Sequence, residues 1–286
     1  MMNLKDSNQY MIDLIKSNQP FTITRLGSES FPSYLFAVHK KFTIPTYVSN
    51  NAGIYSKNMN DIALYYINYI NSVNTSDSLA IYLDRPDVIE QEKYFIKENK
   101  EGKNKLKFII HEALEPFYCL LKNEIPWSHH LLGKKVLIIS PFVDSFKKQL
   151  ANNFQMFKDN DKKIFLDNQE FVFYKCFNTV SGNHLHQNWI ETFNIMCSDI
   201  QKLDFDIALI SCGGYALLLG SFIKKINKSA IYIGGGLQLL FGVMGKRWET
   251  NQTIQKIIKE NGCKFIRPSG DEIPKNCNTI EGGCYW

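Results

Sequence analysis

Short apolar runs alternate with stretches of helical periodicity along this chain, and many of the runs stop at a glycine, a serine or a charged residue. Phe21-Thr-Ile-Thr-Arg-Leu26 reads as a strand entering a turn at Gly27-Ser28, with a helix over Tyr34–Val38 behind it. Between Asn58 and Asn71 the apolar positions Ile62, Leu64, Tyr65, Ile67, Tyr69 and Ile70 recur at helical spacing, with Asp61 near the start. Further strands are expected at Leu79–Leu83, Lys107–His111, Lys135–Phe142, Glu170–Phe177, Asp206–Ser211 and Ala230–Ile233. Helices are expected over Leu114–Lys122, Ser145–Phe157 and Trp189–Lys202. Strands separated by helices predict an α/β fold, Rossmann-like, with a mainly parallel sheet and helices on both faces. No repeat or low-complexity linker interrupts the pattern. One domain over 1–286 is therefore expected, subdivided at most into 1–125 and 126–286.

In parallel sheets ligands sit beyond the carboxyl ends of the strands. The chemically interesting residues fall at those ends: Arg25-Leu-Gly-Ser-Glu29, Asp84-Arg85, His111-Glu112, Ser140-Pro141, Cys212-Gly-Gly-Tyr215 and Gly234-Gly-Gly236. Two of them are glycine turns, where backbone N–H groups and the start of the next helix can face an anion. Three consecutive glycines at 234–236 are entropically expensive unless close approach or positive φ is required. Lys246 and Arg247 follow, two cations suited to a diphosphate.

Composition narrows the class without naming the chemistry. Hydrophobic content of 44% and charged content of 21% describe an ordinary globular protein, and no apolar run approaches the length of a membrane span. The net charge of +5 is dispersed, which suits a small anionic substrate and gives no interleaved basic and aromatic patch for nucleic acid. Seven scattered cysteines without a C-x-x-C pair point to free thiols and a cytosolic setting.

Each candidate has a plain structural reading beside the functional one. Arg25 and Glu29 can close the first turn as an ion pair, and Asn51 with Gly53 makes good turn chemistry. Asp84 can cap a helix or pair with Arg85. Glu112 and Glu115, three apart, can serve as dipole partners in a first helical turn or face one site. Gly213, Gly214 and Tyr215 can be packing positions, whereas Gly234, Gly235, Gly236 and Gln238 favour a ligand. His184 with His186, and His129 with His130, lack converging carboxylates or thiolates and read as loop histidines. Cys284-Tyr285-Trp286 reads as an aromatic anchor onto the domain.

Assembled, these strings resemble a family of α/β proteins related to the GT-D-type glycosyltransferases. The resemblance runs nearly end to end: Thr24-Arg-Leu-Gly-Ser-Glu29, Asn50-Asn-Ala-Gly-Ile-Tyr55, Leu114-Glu-Pro-Phe-Tyr118, Pro126-Trp-Ser128, Leu132–Phe142, Asp204–Ile210, Gly235–Trp248 and Glu281-Gly-Gly-Cys-Tyr-Trp286. It implies transfer of a sugar from a nucleotide-sugar donor to a glycan or glycoconjugate acceptor. It further implies an Arg-x-Gly-Asp-x-Glu motif whose two carboxylates hold a divalent metal, Mg or Mn. Arg25 and Gly27 match that motif, but Ser28 takes the Asp position, Glu29 stands one residue early and Ser30 takes the Glu position. A lone carboxylate beside hydroxyls makes a poor site for either ion.

The donor is accordingly expected near Arg25, Gly27, Ser28, Asn51, Gly53, both glycine turns, Gln238, Lys246 and Arg247. A catalytic base is expected among Glu29, Asp84, Glu112 and Glu115. Two alternatives stand beside this reading. A non-catalytic module retaining a degraded sugar-nucleotide site fits the altered motif. A dinucleotide-dependent oxidoreductase is disfavoured, because no G-x-G-x-x-G follows the first strand. No membrane insertion and no nucleic-acid partner are expected, and a homo-oligomer is left open.

Overall fold

The computed structural model describes residues 2–42, 45–82 and 84–286. Seven strands, β1 (Thr22–Arg25), β2 (Ser78–Ile81), β3 (Lys107–Ile110), β4 (Lys135–Ser140), β5 (Glu170–Lys175), β6 (Ile207–Ile210) and β7 (Ser229–Tyr232), form one sheet. Its order is β3-β2-β1-β7-β6-β4-β5 and every pairing is parallel. The sheet runs unbroken through both halves of the chain, β1 pairing Thr22 and Ile23 with Ala230 and Ile231 of β7.

The helices are α1 (Leu4–Ser17), α2 (Ser30–His39), α3 (Pro45–Tyr47), α4 (Met59–Asn74), α5 (Ile89–Lys100) and α6 (Phe117–Leu121) in the first part of the chain. Then follow α7 (Val143–Ala151), α8 (Trp189–Gln201), α9 (Ala216–Lys225), α10 (Gly236–Leu240) and α11 (Gln252–Asn261). They sort by face. Residues of α2, α4, α5, α8 and α9 share one core with Leu79, Ile81, Leu137, Ile139, Ala208 and Ile210. Residues of α1, α6, α7, α10 and α11 share the other with Ile23, Ala80, Val136, Ile138, Ile207 and Leu209. Alternate residues of the inner strands thus enter opposite cores, which is why β4 and β6 carry unbroken apolar runs at Val136–Ile139 and Ile207–Ile210.

Several expected boundaries shift for local reasons. The segment 114–122 does not form one helix: His111–Leu114 makes a 3₁₀ turn, and α6 begins only at Phe117. Pro116, which has no N–H to donate, stands at the junction. The helix expected to reach Phe157 stops at Ala151, with Asn153 in the left-handed region at φ 52°. The expected strand 79–83 ends at Ile81, and Leu83 lies outside the described residues. Helices α1, α5 and α11 are not among the expected elements. In α11 only Ile254 and Ile257 are buried, while Asn251 caps its start by accepting from the N–H of Ile254.

Candidate functional site

The connection leaving β1 passes to α2 on one face, and the connection leaving β7 passes to α10 on the other. Adjacent parallel strands whose outgoing chains diverge leave a crevice at their carboxyl ends. A cavity of about 160 Å³ lies there, bounded by Arg25, Glu29, Tyr232, Gly234, Arg247 and Tyr285 among others.

Charge in this cleft is held without being fully paired. Arg25 donates to the Tyr82 hydroxyl at 3.4 Å and lies 5.6 Å from the centre of the Tyr232 ring, yet its Nε has no partner. Glu29 is 3% exposed, and its Oε1 is likewise unpartnered. The ion pair that would close the first turn is not formed: among the described residues no carboxylate lies within salt-bridge distance of Arg25. Burial is the largest influence on Glu29 and lifts its carboxyl above the ordinary range, against the opposing pull of Arg25. Arg247 sits 3.9 Å above the Tyr285 ring and donates to Glu281 at 3.2 Å, again with an unpartnered Nε.

The glycine triplet explains how these groups approach one another. A Cβ on Gly234, which has φ +74°, would lie 2.2 Å from Arg25 Nη1. One on Gly235 would meet Arg247 Nη1 and Tyr285 at 3.3 Å, and one on Gly236 would lie 2.1 Å from Glu115 Oε1. Each missing side chain is thus replaced by the charged end of another. Gly27 repeats the device, its vacant Cβ position lying 2.6 Å from both Glu29 carboxylate oxygens.

Segment 277–286 closes one side of the cleft. Gln238, fully buried, donates to the Tyr285 carbonyl at 3.0 Å while its own Oε1 is unpartnered. Trp286 packs edge-on against Phe142 and donates its indole N–H to the Glu272 carbonyl at 2.8 Å. The aromatic anchor expected from the sequence is therefore part of the cleft wall.

Behind Arg25 lies a second cavity of about 210 Å³, lined by Tyr82, His111, Glu112, Glu115, Tyr118 and Trp248 among others. Tyr82 and His111 stack with ring centres 3.7 Å apart and are hydrogen-bonded through the hydroxyl and Nε2. Burial, reinforced by Arg25 and Arg85, holds His111 well below its ordinary pKa and so neutral. Burial also pushes Glu115 up to about 7, Arg25 and Arg247 opposing and Glu112 adding to the rise.

The residues singled out in the sequence therefore divide among four places. Arg25, Gly27, Ser28, Glu29, Asn51, Gly213, Gly234, Gly235 and Arg247 line the cleft. Glu112 and Glu115 line the second cavity, with Gly236 packed on Glu115. Gly53, Gly214 and Tyr215 form the packed support: Tyr215 donates to the Gly53 carbonyl at 3.1 Å, and Tyr65 to that of Gly214 at 2.9 Å. Asp84 is exposed and lines neither cavity, while Lys246 is exposed and donates to the Gly282 carbonyl at 3.3 Å. His184 stacks on Tyr55 with ring centres 3.7 Å apart. Arg85, Asn178, Tyr232, Glu281 and Tyr285 also line the cleft and are not among the residues expected there. The Asp84-Arg85 and Cys284-Tyr285-Trp286 strings were the available signals.

The donor set of the first turn does not fit a divalent metal. Ser28 supplies no carboxylate, Glu29 folds over Gly27, and the neighbouring Glu281 is committed to Arg247. Among the described residues no three His, Cys, Asp or Glu side chains converge. Nor is any helix among them long and apolar enough to cross a membrane. No family model, curated protein or solved structure matches the chain.

Proposed function

We propose that the protein is a glycosyltransferase that takes a sugar from a nucleotide-sugar donor, with the donor diphosphate in the β1/β7 cleft. The observation that carries this reading is the pair of guanidinium groups, Arg25 and Arg247, brought beside one glycine turn, each with a buried Nε left unpartnered. Guanidinium groups match phosphate oxygens in shape as well as charge, and the backbone of a glycine turn adds N–H donors. Both cations would stabilise the departing nucleoside diphosphate electrostatically. Glu29 and Ser28 face the same space and would contact the donor sugar.

The cleft as it stands is smaller than the roughly 300–1,000 Å³ of pockets that hold drug-sized ligands. Seating the donor would therefore require segment 277–286 to move outward, exchanging the Tyr285–Arg247 contact for Arg247–phosphate contacts. Thermal-shift titration with a panel of nucleoside diphosphates, alongside assays of nucleotide-sugar hydrolysis, tests the reading. Stabilisation by at least one diphosphate is expected, and Arg25→Ala should abolish it. If no diphosphate stabilises the protein, the donor assignment is wrong.

A further inference from the structure

The second cavity has no task in the donor-site reading, yet its walls are chemically specific. Tyr82, Tyr118 and Trp248 supply aromatic surface, and Glu112, Glu115 and Asn251 place carboxylate and amide groups among them. An aromatic face takes the C–H side of a sugar ring, while carboxylates and amides take its hydroxyls. Polar side chains thus make up much of the wall, as a hydroxyl-bearing ligand requires. A volume of about 210 Å³ suits one ring better than a chain. The two cavities are separated by a single layer of side chains, because Arg25 in the cleft is bonded to Tyr82 in the second cavity.

Glu115 stands at that boundary. It packs on Gly236, the last residue of the triplet that also holds Arg25 and Arg247, and it lines the second cavity. Its side chain makes no hydrogen bond or ion pair with any described residue. The charged groups facing it are Arg25 from β1, Arg247 from beyond α10 and Glu112 from its own stretch, with the neutral Tyr118 phenol beside them.

We propose that this cavity is the acceptor site, taking one hydroxyl-bearing sugar unit, and that Glu115 is the catalytic base. The inference rests on the donor reading above. In the step, the acceptor hydroxyl oxygen bonds to the anomeric carbon and the bond from that carbon to the donor phosphate oxygen breaks. The hydroxyl proton passes to Glu115, and the electron pair leaves with the nucleoside diphosphate facing Arg25 and Arg247. A carboxyl that titrates near neutrality is suited to accept that proton.

The test uses the full chain and a panel of methyl glycosides, observed by saturation-transfer NMR with and without a stabilising nucleoside diphosphate. At least one glycoside should bind, and Glu112→Gln should weaken it at least fivefold while leaving diphosphate affinity unchanged. In turnover, Glu115→Gln should lower kcat about a hundredfold or more with the donor KM nearly constant, whereas Glu112→Gln should raise the acceptor KM. Asn251→Asp, which keeps the oxygen that caps α11 and removes the amide N–H donors, serves as a second acceptor-side variant should Glu112→Gln fold poorly. Binding of no glycoside, or equal binding by the Glu112 and Asn251 variants, overturns the acceptor site. Unchanged turnover in Glu115→Gln overturns its role as base. Diphosphate binding persists in each of these failures, whereas its absence would strike the donor reading instead.

Discussion

The two glycine turns look alike in sequence and do opposite things in space. At the end of β6, a Cβ on Gly214 would lie 2.6 Å from Ile54 Cγ1 and 3.0 Å from both the Ala52 carbonyl and the Tyr65 hydroxyl. That turn is small so that the 48–54 loop can lie flat against it. At the end of β7, the vacant positions of Gly234, Gly235 and Gly236 receive Arg25, Arg247 and Glu115. One turn makes room for packing; the other makes room for charge. Glycine density alone therefore does not identify a binding turn, and what fills the missing side chain decides the matter.

The largest effect that separates the two regions comes from pH. Glu115 is lifted from an ordinary 4.5 to about 7 in the folded protein. A raised carboxyl pKa means that the fold pays no penalty below about pH 4.5 and loses stability as pH climbs through about 7. At pH 8 the penalty amounts to about 3 kcal/mol. Glu115→Gln should therefore raise Tm at pH 8 and leave it nearly unchanged at pH 4.5, measured by thermal denaturation across that range. An equal shift at both pH values would show that Glu115 is not strained by burial, and the charged character of the β7 turn would lose its main support.

Gly214→Ala probes the packed turn. The new methyl meets the fully buried Ile54 side chain, the Ala52 carbonyl and the buried Tyr65 hydroxyl, none of which can move cheaply, so a loss of about 2 kcal/mol is expected, within the range of overpacked cores. Chemical denaturation should register it as a lower midpoint at constant m-value. Nucleoside diphosphate affinity of the folded variant should stay within about twofold, because the substituted side faces Ile54 and Tyr65 and not the cleft. A large affinity loss with little destabilisation would reverse the assignment of the two turns.

Much of the architecture was legible because strands buried on both faces carry unbroken apolar runs, as Val136–Ile139 and Ile207–Ile210 do. The helices α1, α5 and α11 lay outside the expected elements, although Met11, Ile12 and Ile15 in α1 and Ile254, Ile257 and Ile258 in α11 recur at helical spacing on otherwise polar segments. The strand-end rule brought Arg25, Glu29, Gly213, Gly234 and Arg247 to one cleft. It could not say that Asp84 would be exposed, or that Lys246 would turn to the Gly282 carbonyl while Arg247 turned inward. Nor could it reveal that Gly236 accommodates Glu115, more than a hundred residues earlier, or that Tyr285 covers Arg247. Those facts depend on long-range side-chain packing, which spacing along a chain does not encode.

The smallest expected effect on stability is the most discriminating. Gly236→Ala places a methyl 2.1 Å from Glu115 Oε1, but that atom is the tip of a flexible side chain and can withdraw. Gly236 opens α10 without a positive φ, so alanine is favoured there by roughly 0.5–1 kcal/mol in chain entropy. The two terms oppose each other, and net stability should change by less than about 1 kcal/mol. Glu115, however, is pushed away from the boundary between the two cavities. The stability difference between pH 4.5 and pH 8 should therefore shrink in Gly236→Ala, and acceptor-dependent turnover should fall while diphosphate binding persists. Gly214→Ala should do the reverse, losing stability while keeping the pH difference. If both alanines behave alike, the distinction between a turn that admits charge and a turn that admits packing is lost.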